Sequence, residues 1–327
     1  MRLFVTGGAG FIGSNFVRMA IDGRLPGLED AHITVFDALT YSGTLTNLES
    51  VKDSPRFSFV QGDIRDTEAV GEALPGHDAI AHFAAESHVD RSVNDSRIFV
   101  ETNVVGTQTL LDQAMALGIA RFVHISTDEV YGSIDSGSWD EDEPLLPNSP
   151  YSASKAASDL LVRSYHVTHG LNTNITRCSN NYGPHHFPEK VIPLFVTNLL
   201  DGKKVPLYGD GLNIRDWLHV DDHCRGIALV LQNGQPGEVY NIGGGTELSN
   251  SELTSLLLEA TDRDDSFIER VADRKGHDRR YSVDIGKISS ELGYSPQVDF
   301  SEGLAAVVQW YRDNRWWWEP LKERAGL

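Results

Sequence analysis

The chain has 327 residues, too many for one ordinary domain and suited to a large α/β unit with a smaller one. Its 40% hydrophobic and 23% charged residues leave ample core for a soluble globular enzyme. A net charge of −19 argues against nucleic acid or an anionic membrane as the main partner, and leaves an anionic substrate open where Arg and Lys gather locally.

Two cysteines, Cys178 and Cys224, with no export signal ahead of them, read as reduced thiols in a cytoplasm. No apolar run approaches the ~20 residues needed to span a bilayer.

The chain opens with Leu3-Phe4-Val5-Thr6, an apolar run, and then Gly7-Gly8-Ala9-Gly10-Phe11-Ile12-Gly13. Phe11, Ile12, Phe16, Val17, Ala20 and Ile21 follow at helical spacing. Ile33 to Asp37 is a second strand that ends in an acid. Further strands are expected at Phe57–Ile64, Asp78–Phe83, Phe122–Ser126 and Asn174–Cys178, with helices at Glu68–Leu74, Phe99–Leu117 and Pro150 to about His169. Strands alternating with helices predict an α/β fold, a doubly wound, mostly parallel Rossmann sheet. A smaller C-terminal α/β substrate domain follows. The division places the dinucleotide domain at 1–179, with a returning segment near 216–244, and the substrate domain at 180–215 and 245–327. The acidic stretch Trp139–Ser149 carries Pro144 and Pro147 and reads as a loop. Ser251–Ala260 and Leu304–Arg312 read as helices, Trp316-Trp317-Trp318 as a packing cap, and Lys322–Leu327 as an end that frays.

Three clusters carry chemistry. Glycines 8, 10 and 13 match G-x-G-x-x-G, and Gly7, Gly10 and Gly13 match G-x-x-G-x-x-G, between strand and helix. Glycine suits a tight turn and close approach to a pyrophosphate, and the helix N-terminus offers N–H groups to the phosphates. Asp37 would accept hydrogen bonds from the adenosine ribose and repel a 2′-phosphate, which favours NAD over NADP; it could instead be a turn or cap acid. Asp63 and Ile64 either flank the adenine or form a plain Asp turn. The second cluster is Ser126-Thr127-Asp128-Glu129, a strand end with a hydroxyl and two carboxyls. The third is Tyr151 and Lys155, one helical turn apart, where a nearby ammonium and a nicotinamide ring would lower the phenol pKa.

Together these residues resemble the extended short-chain dehydrogenase/reductase family along nearly the whole chain. Thr127-Asp128-Glu129, with Ala84–Ser92, Asn180–Pro184 and Arg215–His223, is similar to the dTDP-glucose 4,6-dehydratase branch; the 4-epimerase branch does not explain the Asp-Glu pair. The resemblance implies bound NAD, a dTDP-glucose substrate, no metal and a homodimer built on the helices 99–117 and 151–169. It implies that Tyr151 takes the sugar 4-OH proton, that Thr127 holds that oxygen and that Lys155 assists. Glu129 removes the C5 proton, and a protonated Asp128 helps the C6 hydroxyl leave as water. The cofactor contacts it implies are Gly7, Gly10, Phe11, Ile12, Gly13, Asp37, Leu39, Thr40, Asp63, Ile64, Phe83, Thr102, Tyr151, Lys155 and Asn181. The substrate contacts are Ser87, Thr127, Asn180, Lys190, Val191, Pro206, Tyr208, Arg215, Asn250, Arg274, His277 and Tyr281, the last three in or beside Arg274-Lys275-Gly276-His277-Asp278.

Overall fold

A computed structural model describes residues 1–274 and 276–327. In chain order the strands are β1 (Arg2–Thr6), β2 (His32–Asp37), β3 (Phe57–Gln61), β4 (Ala79–His82), β5 (Arg121–Thr127), β6 (Thr173–Cys178), β7 (Asn180–Tyr182), β8 (Val205–Tyr208), β9 (Ile214–His219), β10 (Val239–Ile242), β11 (Glu247–Ser249) and β12 (Ile268–Val271).

Seven of them form one sheet in the order β10-β6-β5-β4-β1-β2-β3, with every neighbouring pair parallel. The order reverses beside β1, so a crevice opens beyond the carboxyl ends of β1 and β4, and the glycine turn sits there. Parallel strands covered on both faces need continuous apolar runs, and Leu3, Phe4 and Val5 are all fully buried. One core packs Phe16, Val17, Ile227 and Val230 against one face of the sheet. The other packs Val70, Leu110, Leu111 and Val162 against the opposite face. The strand expected to return does so: β10 pairs with β6 from Val239↔Ile175 to Ile242↔Cys178.

The helix Pro150–His169 has well-defined ends. Ser149 caps its N-terminus in a reciprocal box with Ser152, Pro150 takes the first turn where its missing N–H costs nothing, and Gly170 closes it in the left-handed region. Such a cap contributes about 1 kcal/mol. Here it also fixes where Tyr151 and Lys155 start.

Outside the large sheet, β7 and β9 run parallel and β11 joins β9 antiparallel, while β8 and β12 form a separate parallel pair. A third core, with Phe195, Val196, Leu253, Leu257, Val307, Trp317 and Trp318, holds this region.

Two expectations change. The long helix over 99–117 is broken: Arg97–Phe99 and Thr107–Leu117 are α-helical, and Val100–Gly106 is a π-helix. The widened turn coincides with Asn103, whose side chain bonds both the N–H and the carbonyl of Glu86 and the hydroxyl of Ser154. The chain end does not fray at Lys322. A helix runs from Arg315 to Ala325, with Leu321 and Lys322 buried and Lys322 paired to Asp201 at 3.4 Å. Trp317 and Trp318 are core, whereas Trp316 is exposed.

Candidate active site

Two clefts meet at the carboxyl ends of the parallel strands. The first is lined by Gly7, Gly10, Phe11, Ile12, Gly13, Asp37, Thr40, Asp63, Ile64, Phe83 and Thr102. At its inner end stand Thr127, Asp128, Glu129, Tyr151, Lys155 and Asn181. The second is lined by Ser87, Asn180, Lys190, Val191, Pro206, Tyr208, Arg215, Asn250, Arg274, His277 and Tyr281. Glu129, Asn180 and Lys190 border both, so the clefts join at the carboxyl pair. Of the residues anticipated from the sequence, Leu39 borders neither cleft; its N–H donates to Asp37 at 2.8 Å. Lys275 lies outside the described residues.

The glycine turn leaves the first cleft no spare volume on its wall. Gly7 has φ +69°, and a Cβ there would lie 2.5 Å from the backbone nitrogen of Ala84. A Cβ on Gly13 would meet the Gly7 carbonyl oxygen at 2.4 Å. Both obstacles are backbone, which cannot swing aside. Asp37 buttresses the turn by accepting from Ala9 N at 2.9 Å, and burial raises its pKa. Backbone N–H groups at a helix start, walls of glycine and a carboxylate at the end of β2 fit a dinucleotide: pyrophosphate at the turn, ribose at Asp37.

At the strand end, Thr127 caps a single 3₁₀ turn over Asp128–Tyr131, accepting from Glu129 N at 3.3 Å. That turn sends the two carboxyls in different electrostatic directions. Asp128 is almost fully buried; among the described residues its Oδ2 has no hydrogen-bond partner and its Oδ1 takes only a long 3.4 Å contact from Thr127. Burial first, then Glu129 and Asp216, push its pKa well above the carboxylate range. Burial raises Glu129 too, but Arg215, Lys190 and Arg274 oppose it. The pair is therefore split into an acid, Asp128, and a carboxylate beside three cations.

The phenol departs from its expected behaviour. Burial, then Glu129 and Cys178, push the Tyr151 pKa well up. A hydrogen bond with Thr127 opposes the rise, and Lys155 Nζ donates to the Ile125 carbonyl at 2.8 Å. Burial brings the lysine itself down to about 8.

The second cleft brings three cations, Lys190, Arg215 and Arg274, among the carboxyl residues Asp90, Glu129, Glu189 and Asp278. Arg215 is held by the carbonyls of Ile214 and Asp278 at 2.7 and 3.0 Å and stacks over Tyr281 at 4.3 Å. Tyr281 is fixed by Asp278 at 2.6 Å. Lys190 Nζ donates to Ser87 O at 2.8 Å. Arg274 lies over Tyr208 at 5.3 Å, and its buried Nε stands 3.5 Å from Asp90 Oδ1 without a hydrogen bond among the described residues. Guanidinium groups set beside aromatic faces suit a diphosphate and a base stacked nearby.

The sequence did not point to His186, Cys178 or Asp216 as site residues. His186 borders both clefts and stacks on Phe11 at 4.1 Å. His185 and His186 follow Asn180–Pro184 directly in the chain, and nothing in the composition there places a ring against the glycine helix. Cys178 ends β6 and lines the first cleft. Asp216 accepts from Ser179, Gly244 and Thr246 and ties the end of β6 to β9. No helix among the described residues is long and apolar enough to cross a membrane.

Comparison with known proteins agrees with this geometry. The family model described as GDP-mannose 4,6-dehydratase matches residues 4–307. A dTDP-glucose 4,6-dehydratase from Streptomyces antibioticus is 61% identical over 325 residues, covering 99% of this chain and 96% of that one. The crystal structure of DesIV, the dTDP-glucose 4,6-dehydratase of Streptomyces venezuelae, solved with NAD bound, superposes with a TM-score of 0.98 at 63% identity, covering 98% of this chain and 100% of that one. The Thermus thermophilus UDP-glucose 4-epimerase shares the fold with a TM-score of 0.86 but is 30% identical, with 96% and 100% coverage. The epimerase is thus a distant relative on the same scaffold. The chain belongs to the nucleotide-sugar 4,6-dehydratase family of the extended short-chain dehydrogenases/reductases.

Proposed function

We infer that the chain is an NAD-dependent lyase that converts dTDP-glucose to dTDP-4-keto-6-deoxyglucose. The observation that carries this reading is the meeting, at Glu129 beside the buried Asp128, of the glycine-walled groove with a cleft that holds Lys190, Arg215 and Arg274. An epimerase has no use for a buried acid next to a second carboxylate. Residues 1–179 with the segment 216–244 serve as the dinucleotide domain, and 180–215 with 245–327 as the substrate domain.

Each side chain has a role its surroundings support. NAD, held by the glycine turn and Asp37, accepts hydride from sugar C4, returns it to C6 and adds positive charge beside the phenol. Tyr151 removes the 4-OH proton, and Thr127 donates a hydrogen bond to that oxygen. The 4-keto group acidifies C5, and Glu129, whose anion Arg215, Lys190 and Arg274 favour against the effect of burial, takes the C5 proton. Asp128 donates a proton to the departing C6 hydroxyl, which leaves as water. Arg215, Lys190 and Arg274 hold the diphosphate; Tyr208, Tyr281, Pro206, Val191, Asn250 and His277 surround the nucleoside, and Ser87 and Asn180 the sugar.

A homodimer is part of the same proposal. Val100, Val105, Met115 and Leu117 on one helical run and Leu160 and Val167 on the helix Pro150–His169 are exposed apolar residues that a second copy would cover. Two buried, reduced thiols suit a cytoplasmic enzyme.

The direct test is incubation of the purified protein with dTDP-glucose and no added NAD. Loss of one water by mass, with NAD released on denaturing the protein, is the expected result. Formation of dTDP-galactose without loss of mass would move the assignment to an epimerase.

Gly13→Ala tests the cofactor groove. The new methyl would stand 2.4 Å from the Gly7 oxygen, so the turn has to open. Overpacking of this kind costs about 1–3 kcal/mol, which corresponds to about 5- to 150-fold in cofactor affinity. The variant should retain far less NAD through purification, with activity partly restored by added NAD.

A further inference from the structure

The helix Pro150–His169 places Lys155 and Asp159 four residues apart on one face, where opposite charges ordinarily pair. Among the described residues no ion pair joins them. Lys155 Nζ turns to the Ile125 carbonyl at 2.8 Å. Asp159 Oδ2 takes Arg177 Nε at 2.9 Å, and Asp159 Oδ1 has no hydrogen-bond partner among the described residues.

His124 stands between them. It lies on β5, fully buried, with Nε2 3.4 Å from Lys155 Nζ, 3.4 Å from Asp159 Oδ1 and 3.1 Å from Ser158 Oγ. Ser158 fixes which nitrogen carries the proton. Its hydroxyl also reaches the Lys155 carbonyl at 2.8 Å; with the hydrogen given there, its oxygen accepts from His124 and Nε2 is the N–H. An N–H cannot accept from an ammonium. The 3.4 Å approach to Lys155 is therefore a contact between two donors, with the imidazole edge wedged where the Lys–Asp pair would close.

We propose that His124 is a positioning residue that keeps Lys155 off Asp159 and holds its ammonium on the Ile125 carbonyl, in the cleft that Tyr151 also lines. The proposal rests on the dehydratase reading for its kinetic consequences, though not for its geometry. The charged and titratable groups around the ring are Lys155, Asp159, Arg177 and His82, whose ring lies 5.1 Å away. His82 is itself locked by Thr6 and Thr107 at 2.7 and 2.9 Å, so the wedge has a rigid backing. Burial and Lys155 lower the His124 pKa to about 4, so the wedge stays neutral while the enzyme works.

The test uses the NAD-bound enzyme. In His124→Ala, a crystal structure should show Lys155 Nζ moved from the Ile125 carbonyl to the Asp159 carboxylate. Turnover of dTDP-glucose should fall about tenfold or more with KM little changed, because an ill-placed ammonium affects the chemical step rather than binding. The acid limb of the pH profile should move to higher pH, since the phenol has lost its cation. His124→Gln, which can put an amide N–H near the position of Nε2, should stay close to wild type. Asp159→Asn added to His124→Ala removes the competing charge, keeps an acceptor for Arg177 and should restore most of the rate. If the alanine variant does not fold, His124→Leu carries the same expectations at closer volume. Lys155 remaining on Ile125 with an unmoved acid limb, or Asp159→Asn deepening the loss, would overturn the proposal. Failure of the wild type to dehydrate dTDP-glucose would instead overturn the functional reading, and the position of Lys155 in the crystal would still decide this one.

Discussion

Tyr151→Phe should lower kcat about 10²- to 10⁴-fold, the usual contribution of a positioned acid–base group, with little change in KM. The ring fills space against Phe99, at 6.3 Å in an edge-on arrangement, and phenylalanine preserves that packing. What is lost is the oxygen beside Thr127 that takes the 4-OH proton in the proposed reaction. C4 oxidation is the first chemical step, so product formation and the transient rise in reduced-nicotinamide absorbance should fail together. The pH dependence follows from the environment. Burial and Glu129 raise the phenol pKa, so the base form is favoured as pH rises, and wild-type activity should climb on its acid side as the phenol ionises. The phenylalanine variant should lack that limb. A loss of less than tenfold with the limb intact would place the base elsewhere, and rapid-quench measurement of the first half-reaction would decide it.

Much of this site is legible in the sequence because its parts obey local rules. A buried parallel strand must be an apolar run, a backbone that approaches phosphates must be glycine, and a helix must start at a cap, so β1, the turn at Gly7–Gly13 and the helix at Pro150 announce themselves. Side-chain direction is less local. Tyr151 and Lys155 share a helical face as their spacing requires, yet Lys155 points to a carbonyl on β5, because a buried ammonium satisfies itself on the nearest strand. The strands β7, β8, β11 and β12 have three or four residues each and carry too few positions to show a period. The π-helical turn at Val100–Gly106 adds to a helix without changing its composition, so a 3.6-residue pattern reads straight across it. His124 illustrates the same limit. It sits in an apolar run and looks like one polar residue among core positions, and only the fold brings it between Lys155 and Asp159.

Asp128→Asn should separate the two halves of the reaction. The amide matches the carboxyl in size but has no acidic proton to give. C4 oxidation, which depends on Tyr151 and Thr127, should proceed at nearly the wild-type rate, while loss of water slows by about 10²–10⁴-fold. The oxidised intermediate should then accumulate on the protein and hold the reduced-nicotinamide absorbance high. Exchange of the C5 hydrogen with deuterated water should persist, since Glu129 is untouched; Glu129→Gln should abolish that exchange. The sign of the pH effect follows from the raised pKa. The protonated form of Asp128 is the working form, so elimination in the wild type should decline as pH rises through that value, and the asparagine variant should show no such decline. A variant that eliminates water at the wild-type rate would show that the proton reaches the C6 oxygen by another route. The electrostatics of the pair make that a demanding outcome: Glu129 faces Arg215, Lys190 and Arg274, which favour its anion, whereas Asp128 Oδ2 has no hydrogen-bond partner among the described residues and is the carboxyl whose neutral form the protein favours.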